Sequence, residues 1–237
     1  MKNQYYGDVN DYRKYGILRS LAIGGSLSIG ICWMLTPDDG RGDGAKTAYL
    51  RDPHRWRQYD PSLFDLLAND VLTRRQRDVS CAERAEVVPG ATYYSTIIPD
   101  DKDARSAVLA KALELLSPCQ LFFYDPDNGI EVSSVAFGAK NSSKYIYWQE
   151  LYEAYAKGHS LLIYQHYPRV ERSVFHERIR REVSHRIPGA TLYALTTSSV
   201  VFLLAAQPAH LAQVRLGLVR IKAQWAGEVG QELLLSA

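Results

Sequence analysis

Cysteine is scarce in this chain. Cys32, Cys81 and Cys119 are an odd number without Cys-x-x-Cys spacing, which argues against a disulfide framework and a structural zinc site. Buried cytosolic thiols are the expectation. Long apolar runs are missing as well, and no segment reaches the roughly 18 residues that a membrane-spanning helix needs. The opening MKNQYYGDVNDYRKYG has no apolar core of the signal-peptide kind. Together these absences predict a soluble cytoplasmic protein with no membrane partner. An excess of one charge is also lacking: the net charge is only +2, so a basic footprint for nucleic acid has to be local. No repeat, low-complexity tract or linker interrupts the chain.

What is present suits one large domain. The 237 residues are 46% hydrophobic and 23% charged, enough to bury a sizeable core. We expect a single α/β domain over residues 1–237, with 1–25 as an N-terminal helical cap. Tyrosine is abundant, at 16 residues, and its apolar ring with a polar tip favours wet clefts and interfaces.

The segments alternate. Residues 10–22 place Tyr15, Leu18 and Leu21 near helical spacing, with Asn10 or Asp11 as the cap. SLSIGICWMLT reads as a buried strand. PSLFDLLANDVLT reads as a helix with Pro61 in its first turn. Strands are expected around DVSCAE and ATYYSTII, and a helix over DKDARSAVLAKALELL, whose acidic start and Ala-Leu body suit one. CQLFFYD and HSLLIYQHYP are continuous apolar runs of the buried-strand type. Between them SKYIYWQELYEAYAKG reads as a helix closed by Gly158. VERSVFHERIRREVSHRI reads as an amphipathic helix with Val170, Val174, Ile179, Val183 and Ile187 on one face. TLYALTT and SVVFLLAA form a tight hairpin, followed by a helix from near Ala209. Such alternation predicts a doubly wound, mostly parallel sheet with a C-terminal antiparallel hairpin. Ligands in such sheets bind at the carboxyl ends of the strands. Those ends carry PDDGRGDG, DPDNG and QHYPR, which should converge on one cleft.

Alternating glycines in Asp38-Asp39-Gly40-Arg41-Gly42-Asp43-Gly44 let a backbone turn sharply and approach a ligand. A flexible acidic loop would use the same residues. Asp125-Pro126-Asp127-Asn128-Gly129 closes an apolar strand and also suits a tight turn. Three chemistries compete there. Asp125 and Asp127 can hold Mg²⁺ or Mn²⁺ against a phosphate. An aspartate nucleophile of the phosphatase kind would want Thr or Val in place of Gly129. Alternatively, Asp125 and the Pro126 carbonyl accept hydrogen bonds from an exocyclic amine. His166 ends another strand as a general base, metal ligand or phosphate donor, or simply as a loop histidine. Arg169, Arg172, Arg178 and Arg181, with Arg180 and Arg186, are cations that could meet the phosphates of RNA or DNA. A solvated helix face with pairs such as Glu177–Arg181 accounts for them equally well. Asp8, Lys14 and Tyr15 are candidates to line the cleft entry, and an interface with another subunit or a helix packed over the sheet would use the same segment.

The strand-end Asp125-Pro126 resembles the Asp-Pro-Pro-Tyr motif of amino-methylating enzymes of the Rossmann-like S-adenosylmethionine-dependent methyltransferase superfamily. The layout is similar to the bacterial 23S ribosomal RNA adenine-N6 methyltransferase family. YYGDVNDYRKYGILRSL resembles its N-terminal helix, CWMLTPDDGRGDG its cofactor loop and YDPDNGIE its catalytic tetrapeptide. The resemblance implies S-adenosylmethionine contacts from Asp38, Gly40, Gly42 and Gly44, with Glu83 on the ribose. It implies that Asp125 and Pro126 act on a nucleic-acid amino group, and with Asp127, Asn128 and the strand-end His166 they make up the expected catalytic residues. Asp127 replaces the second proline and Asn128 the base-stacking aromatic residue, a role left to Tyr124, Tyr164 or Tyr167. A metal-dependent phosphodiesterase using Asp125 and Asp127, or a non-catalytic binding member of the fold, are the alternatives.

Overall fold

A computed structural model describes residues 1–38 and 44–236 of the chain. Its centre is a seven-stranded sheet in the order β2-β1-β3-β6-β8-β7-β9. The strands are β1 (Ile29–Cys32), β2 (Thr92–Tyr94), β3 (Leu121–Tyr124), β6 (Ser160–His166), β7 (Thr191–Thr196), β8 (Val200–Ala206) and β9 (Gly230–Leu235). β2, β1, β3 and β6 run parallel, whereas β8 pairs antiparallel with both β6 and β7. The predicted hairpin is therefore present, and its second strand turns back inside its first. β4 (Gly129–Ile130) and β5 (Tyr145–Ile146) form a separate two-stranded ribbon.

Helices cover both faces, which is why the strand sequences are continuously apolar. Phe123 faces a core shared with α1 (Val9–Gly25), α3 (Pro61–Ala68), α4 (Val79–Arg84) and α8 (Leu211–Gln224). Its neighbour Phe122 faces the opposite core, shared with α5 (Lys102–Leu116), α6 (Trp148–Ala156) and α7 (Arg172–Arg186). The short α2 (Pro53–Trp56) contributes Trp56 to the first core. This α/β architecture is compatible with a Rossmann-like fold.

Several local expectations need correction. DVSCAE is helical in α4, capped by the Asp78 side chain accepting from Ser80 N. Asp78 outweighs the apolar Val79 and Cys81 because an N-cap carboxylate satisfies an otherwise orphaned amide. Helix α1 starts two or three residues earlier than expected, on Asp8, whose Oδ1 accepts from Asn10 N and Asp11 N. In α7 the buried stripe is Phe175, Ile179 and Val183, followed by Ile187, while Val170 and Val174 are exposed. β9 was not anticipated: Gln231 and Glu232 dilute its apolar pattern, and as an edge strand it leaves Leu233 exposed.

α1 packs against α8 through missing side chains. A Cβ on Gly25 would sit 2.5 Å from the Gln213 carbonyl oxygen, and one on Gly217 would sit 2.8 Å from Leu21. Among the described residues no helix is long and apolar enough to cross a membrane. All three cysteines are buried and free, and burial pushes the Cys32 thiol up to about 12.

Candidate functional site

The carboxyl ends of β1, β3 and β6 are neighbours in the sheet, and two of the three predicted loops meet there. Asp125, Pro126, Asp127 and His166 line one small cavity together with Met1, Tyr5, Asp8, Asn10, Asp11, Lys14 and Tyr164. Its volume is about 30 Å³, room for roughly two water molecules. Asn128 does not line this cavity but a larger groove that shares His166 with it.

A buried ion network organises the cavity. Lys14 Nζ donates to Asp11 Oδ1 and to Asp125 Oδ2, both at 2.6 Å. The Met1 ammonium lies 2.7 Å from Asp127 Oδ1 and donates to the Asp125 carbonyl at 2.7 Å and the Met34 carbonyl at 3.2 Å. Thr36 Oγ1 donates to the other Asp127 oxygen at 2.7 Å. The rings of Tyr164 and Trp33 flank the Lys14 ammonium at 5.4 and 5.9 Å, a cation–π arrangement that partly replaces water. Two of the chain's own ammonium groups are thus held by oxygens at the end of β3.

The protonation states follow from this arrangement. Burial raises the Asp11 carboxyl to about 7 even against the attraction of Lys14, with Asp8 and Asp125 adding repulsion. Asp8 is raised as well, mainly by burial. Burial opposes the charge on Lys14, but Asp11 and Asp125 outweigh it and hold the ammonium above the ordinary lysine range. For Asp127 burial pulls upward, yet the Met1 ammonium and Thr36 win and its carboxyl lies below the usual range. His166 stands at the rim, edge-on to Tyr164 at 5.0 Å. Crowding by protein lowers its imidazole, and Asp125 only partly counters this.

The cofactor candidates divide. Gly40 and Gly42 lie outside the described residues. Asp38 is exposed and accepts from Gln4 N at 3.4 Å. Gly44 has φ +78°, and the Tyr5 ring fills the space a Cβ would take. Glu83 is on α4 and accepts from the Trp33 indole N–H at 2.8 Å. It is a partner for a core tryptophan rather than the end of a strand.

The arginines divide too. Arg169 and Arg178, with Arg186, line the large groove of about 1150 Å³ beside Asn128, His166 and Tyr167. Arg172 lies over the Tyr167 ring at 4.4 Å and donates to the Ser198 carbonyl. Arg181 is well exposed and reaches Glu177 at 3.6 Å, although Arg180 holds that carboxylate more closely at 2.7 Å. Among the stacking candidates Tyr124 is buried against Phe122, Tyr164 faces the small cavity and Tyr167 faces the groove. Tyr15 is fully buried and packs on Trp33 instead of lining the cleft.

Asp11 and Arg105 were missed as architects of the site. Asp11 suits a cap in the sequence, yet its spacing of three from Lys14 is a helical ion-pair spacing. Arg105 is fully buried and clamps the segment after Asp125: it pairs with Glu150 at 2.6 Å and donates to the Ser142 and Tyr145 carbonyls. A lone arginine in an Ala-rich helix gives no local sign of that role. Among the described residues no three His, Cys, Asp or Glu side chains are grouped to hold a metal ion. A scan against protein-family models and a search of the curated proteins found no match to this chain.

Proposed function

We propose that the protein is an S-adenosylmethionine-dependent methyltransferase acting on an amino group of a nucleic acid, with the end of β3 as its amine-reading element. The observation that carries this reading is the seating of Lys14 Nζ on the Asp125 carboxylate and of the Met1 ammonium on the Asp125 carbonyl. Acceptors that hold a protein ammonium at 2.6–2.7 Å present the chemistry that an exocyclic amine requires. The antiparallel hairpin beside β6 agrees with the layout that the resemblance implies.

Asp125 would accept from the substrate amine, with Lys14 fixing the rotamer of its carboxylate. Tyr164 offers an aromatic face beside Asp125, and His166 links the small cavity to the groove where Arg169 and Arg178 would meet phosphates. Asn128 faces that groove as well, so the position that departs from the aromatic motif does not face the strand-end acceptors. The described residues fit the cofactor in part. Asp38 is at an exposed position and Gly44 has the conformation of a tight loop, but Glu83 is committed to Trp33. The bound cofactor would supply an electrophilic methyl group. No observation favours the Mg²⁺ or Mn²⁺ alternative, because Asp125 and Asp127 are each turned to an ammonium.

Calorimetric titration with S-adenosylmethionine tests the reading. Saturable binding by the wild type, lost in Gly42→Val, is expected. No binding by a protein shown to be folded would overturn it.

A further inference from the structure

A second arrangement of titratable groups opens onto the large groove and takes no part in the strand-end network. Tyr167 follows β6, is half-buried and lines the groove. Its hydroxyl lies 3.2 Å from His176 Nε2, and His176 Nδ1 lies 2.8 Å from Glu232 Oε2. Three elements supply these groups: the end of β6, helix α7 and the edge strand β9.

The proton positions follow from the partners. A carboxylate at neutral pH only accepts, so Nδ1 of His176 carries the proton and donates it to Glu232. Nε2 is then the free lone pair, and the Tyr167 hydroxyl donates to it. His176 is buried, so its ring is held in this orientation by packing as well as by both hydrogen bonds. The charged groups facing the assembly are Glu232 from β9 and Arg172 from α7, whose guanidinium lies 4.4 Å from the Tyr167 ring centre. Burial holds the Tyr167 hydroxyl above its ordinary range and Glu232 adds to this, while the Arg172 guanidinium partly offsets it by favouring a negative phenolate. A carboxylate that orients an imidazole, which in turn accepts from a hydroxyl, is the general arrangement for activating a weak nucleophile or base.

We propose that Tyr167, His176 and Glu232 form a proton relay opening onto the groove, with the Tyr167 hydroxyl exchanging protons with a groove-bound hydroxyl or amine. In the forward direction the ligand proton passes to Tyr167 Oη as the phenolic proton passes to His176 Nε2. The ligand is left with the electron pair of the broken bond, and the imidazolium is paired with Glu232. The reverse step returns both protons, so the relay needs no other reactant. A tie between β9 and α7 would explain the His176–Glu232 contact, but not why the remaining imidazole nitrogen meets a hydroxyl at the groove wall.

The relay makes Tyr167 a preferred target for phenylmethanesulfonyl fluoride. The phenolic oxygen would bond to sulfur, fluoride would leave and the proton would pass to His176. Labelling rates at Tyr167 and at the exposed Tyr152 can be read from the same digest by mass spectrometry. At pH 7.5 Tyr167 is expected to react about tenfold faster than Tyr152. His176→Gln should remove the advantage. Glu232→Gln, at a side chain 54% exposed on the edge strand, should reduce the Tyr167 rate by about threefold. Equal rates at the two tyrosines, or a Tyr167 rate unchanged in folded Glu232→Gln, would overturn the relay. Neither result depends on S-adenosylmethionine or on Asp125, so the strand-end reading stands or falls separately.

Discussion

Helices α1 and α7 are both rich in charge, and the protein uses them in opposite ways. In α1 the charged residues Asp11, Arg13 and Lys14 are buried, as is the Asp8 cap. In α7 Glu177 pairs with Arg180 and Arg181, and Arg186 pairs with Glu182, all at exposed or half-buried positions along the helix. The difference lies in what each helix covers. α7 lays Phe175, Ile179 and Val183 on the sheet face and turns its charges outward. α1 is enclosed by α8, α3 and the strand ends, so its charges need partners within the protein. Buried charge is tolerated only where ion pairs and hydrogen bonds replace water. A run of charges is therefore a solvated face in one helix and a candidate site in the other.

Breaking the buried network should give the largest effect. Lys14→Met would leave Asp11 and Asp125 without their shared cation, and we expect a loss of about 3–5 kcal/mol in urea denaturation. A loss too small to measure would mean that the network is open to water. A clash in the same helix ranks next. A Cβ on Gly16 would fall 1.9 Å from the Trp225 ring, so Gly16→Ala should cost about 1–3 kcal/mol by overpacking. An unchanged thermal midpoint would show that α1 and the Trp225 loop are loosely packed.

The pH dependence sharpens the contrast further. Folded Asp11 keeps its proton up to about pH 7, whereas an unfolded aspartate releases it near about 3.9. Between those values the native state binds more protons, so this group adds stability as pH falls from about 7 towards 4. The slope from this group is at most about 1.4 kcal/mol per pH unit and should be lost in Asp11→Asn, leaving only what the raised Asp8 carboxyl adds. Asp127, held low by the Met1 ammonium, acts in reverse and loses its contribution only at more acidic pH. Urea titrations from about pH 2 to 8 check both signs, and an identical slope in the variant would contradict the assignment to Asp11. The smallest effect belongs to α7: Arg180→Ala should leave the denaturation midpoint unchanged, because that pair is exposed and screened.

Much of this fold is legible in the sequence where burial is symmetric. LFFY and LLIYQ are apolar at every position because helices cover both faces, and their placement at the centre of the sheet follows. The loops of the candidate site were also legible, since Asp125 and His166 each follow such a run. The rest depends on contacts distant along the chain. Nothing near Lys14 says that it meets Asp125, and nothing near Glu83 says that Trp33 lies beside it. β9 escaped notice because an edge strand needs only one buried face. DVSCAE misled because a capping aspartate decided its conformation rather than its apolar residues.

The central claim is that the end of β3 reads an amino group for methyl transfer. Its most direct test is transfer of a labelled methyl group from S-adenosylmethionine to total RNA and to DNA, with wild type and Asp125→Ala compared side by side. The account predicts label on the exocyclic nitrogen of a base with the wild type, and a fall of at least about a hundredfold in the variant. Transfer by a folded Asp125→Ala protein at the wild-type rate, or no transfer by a wild type that binds S-adenosylmethionine and nucleic acid, would contradict it.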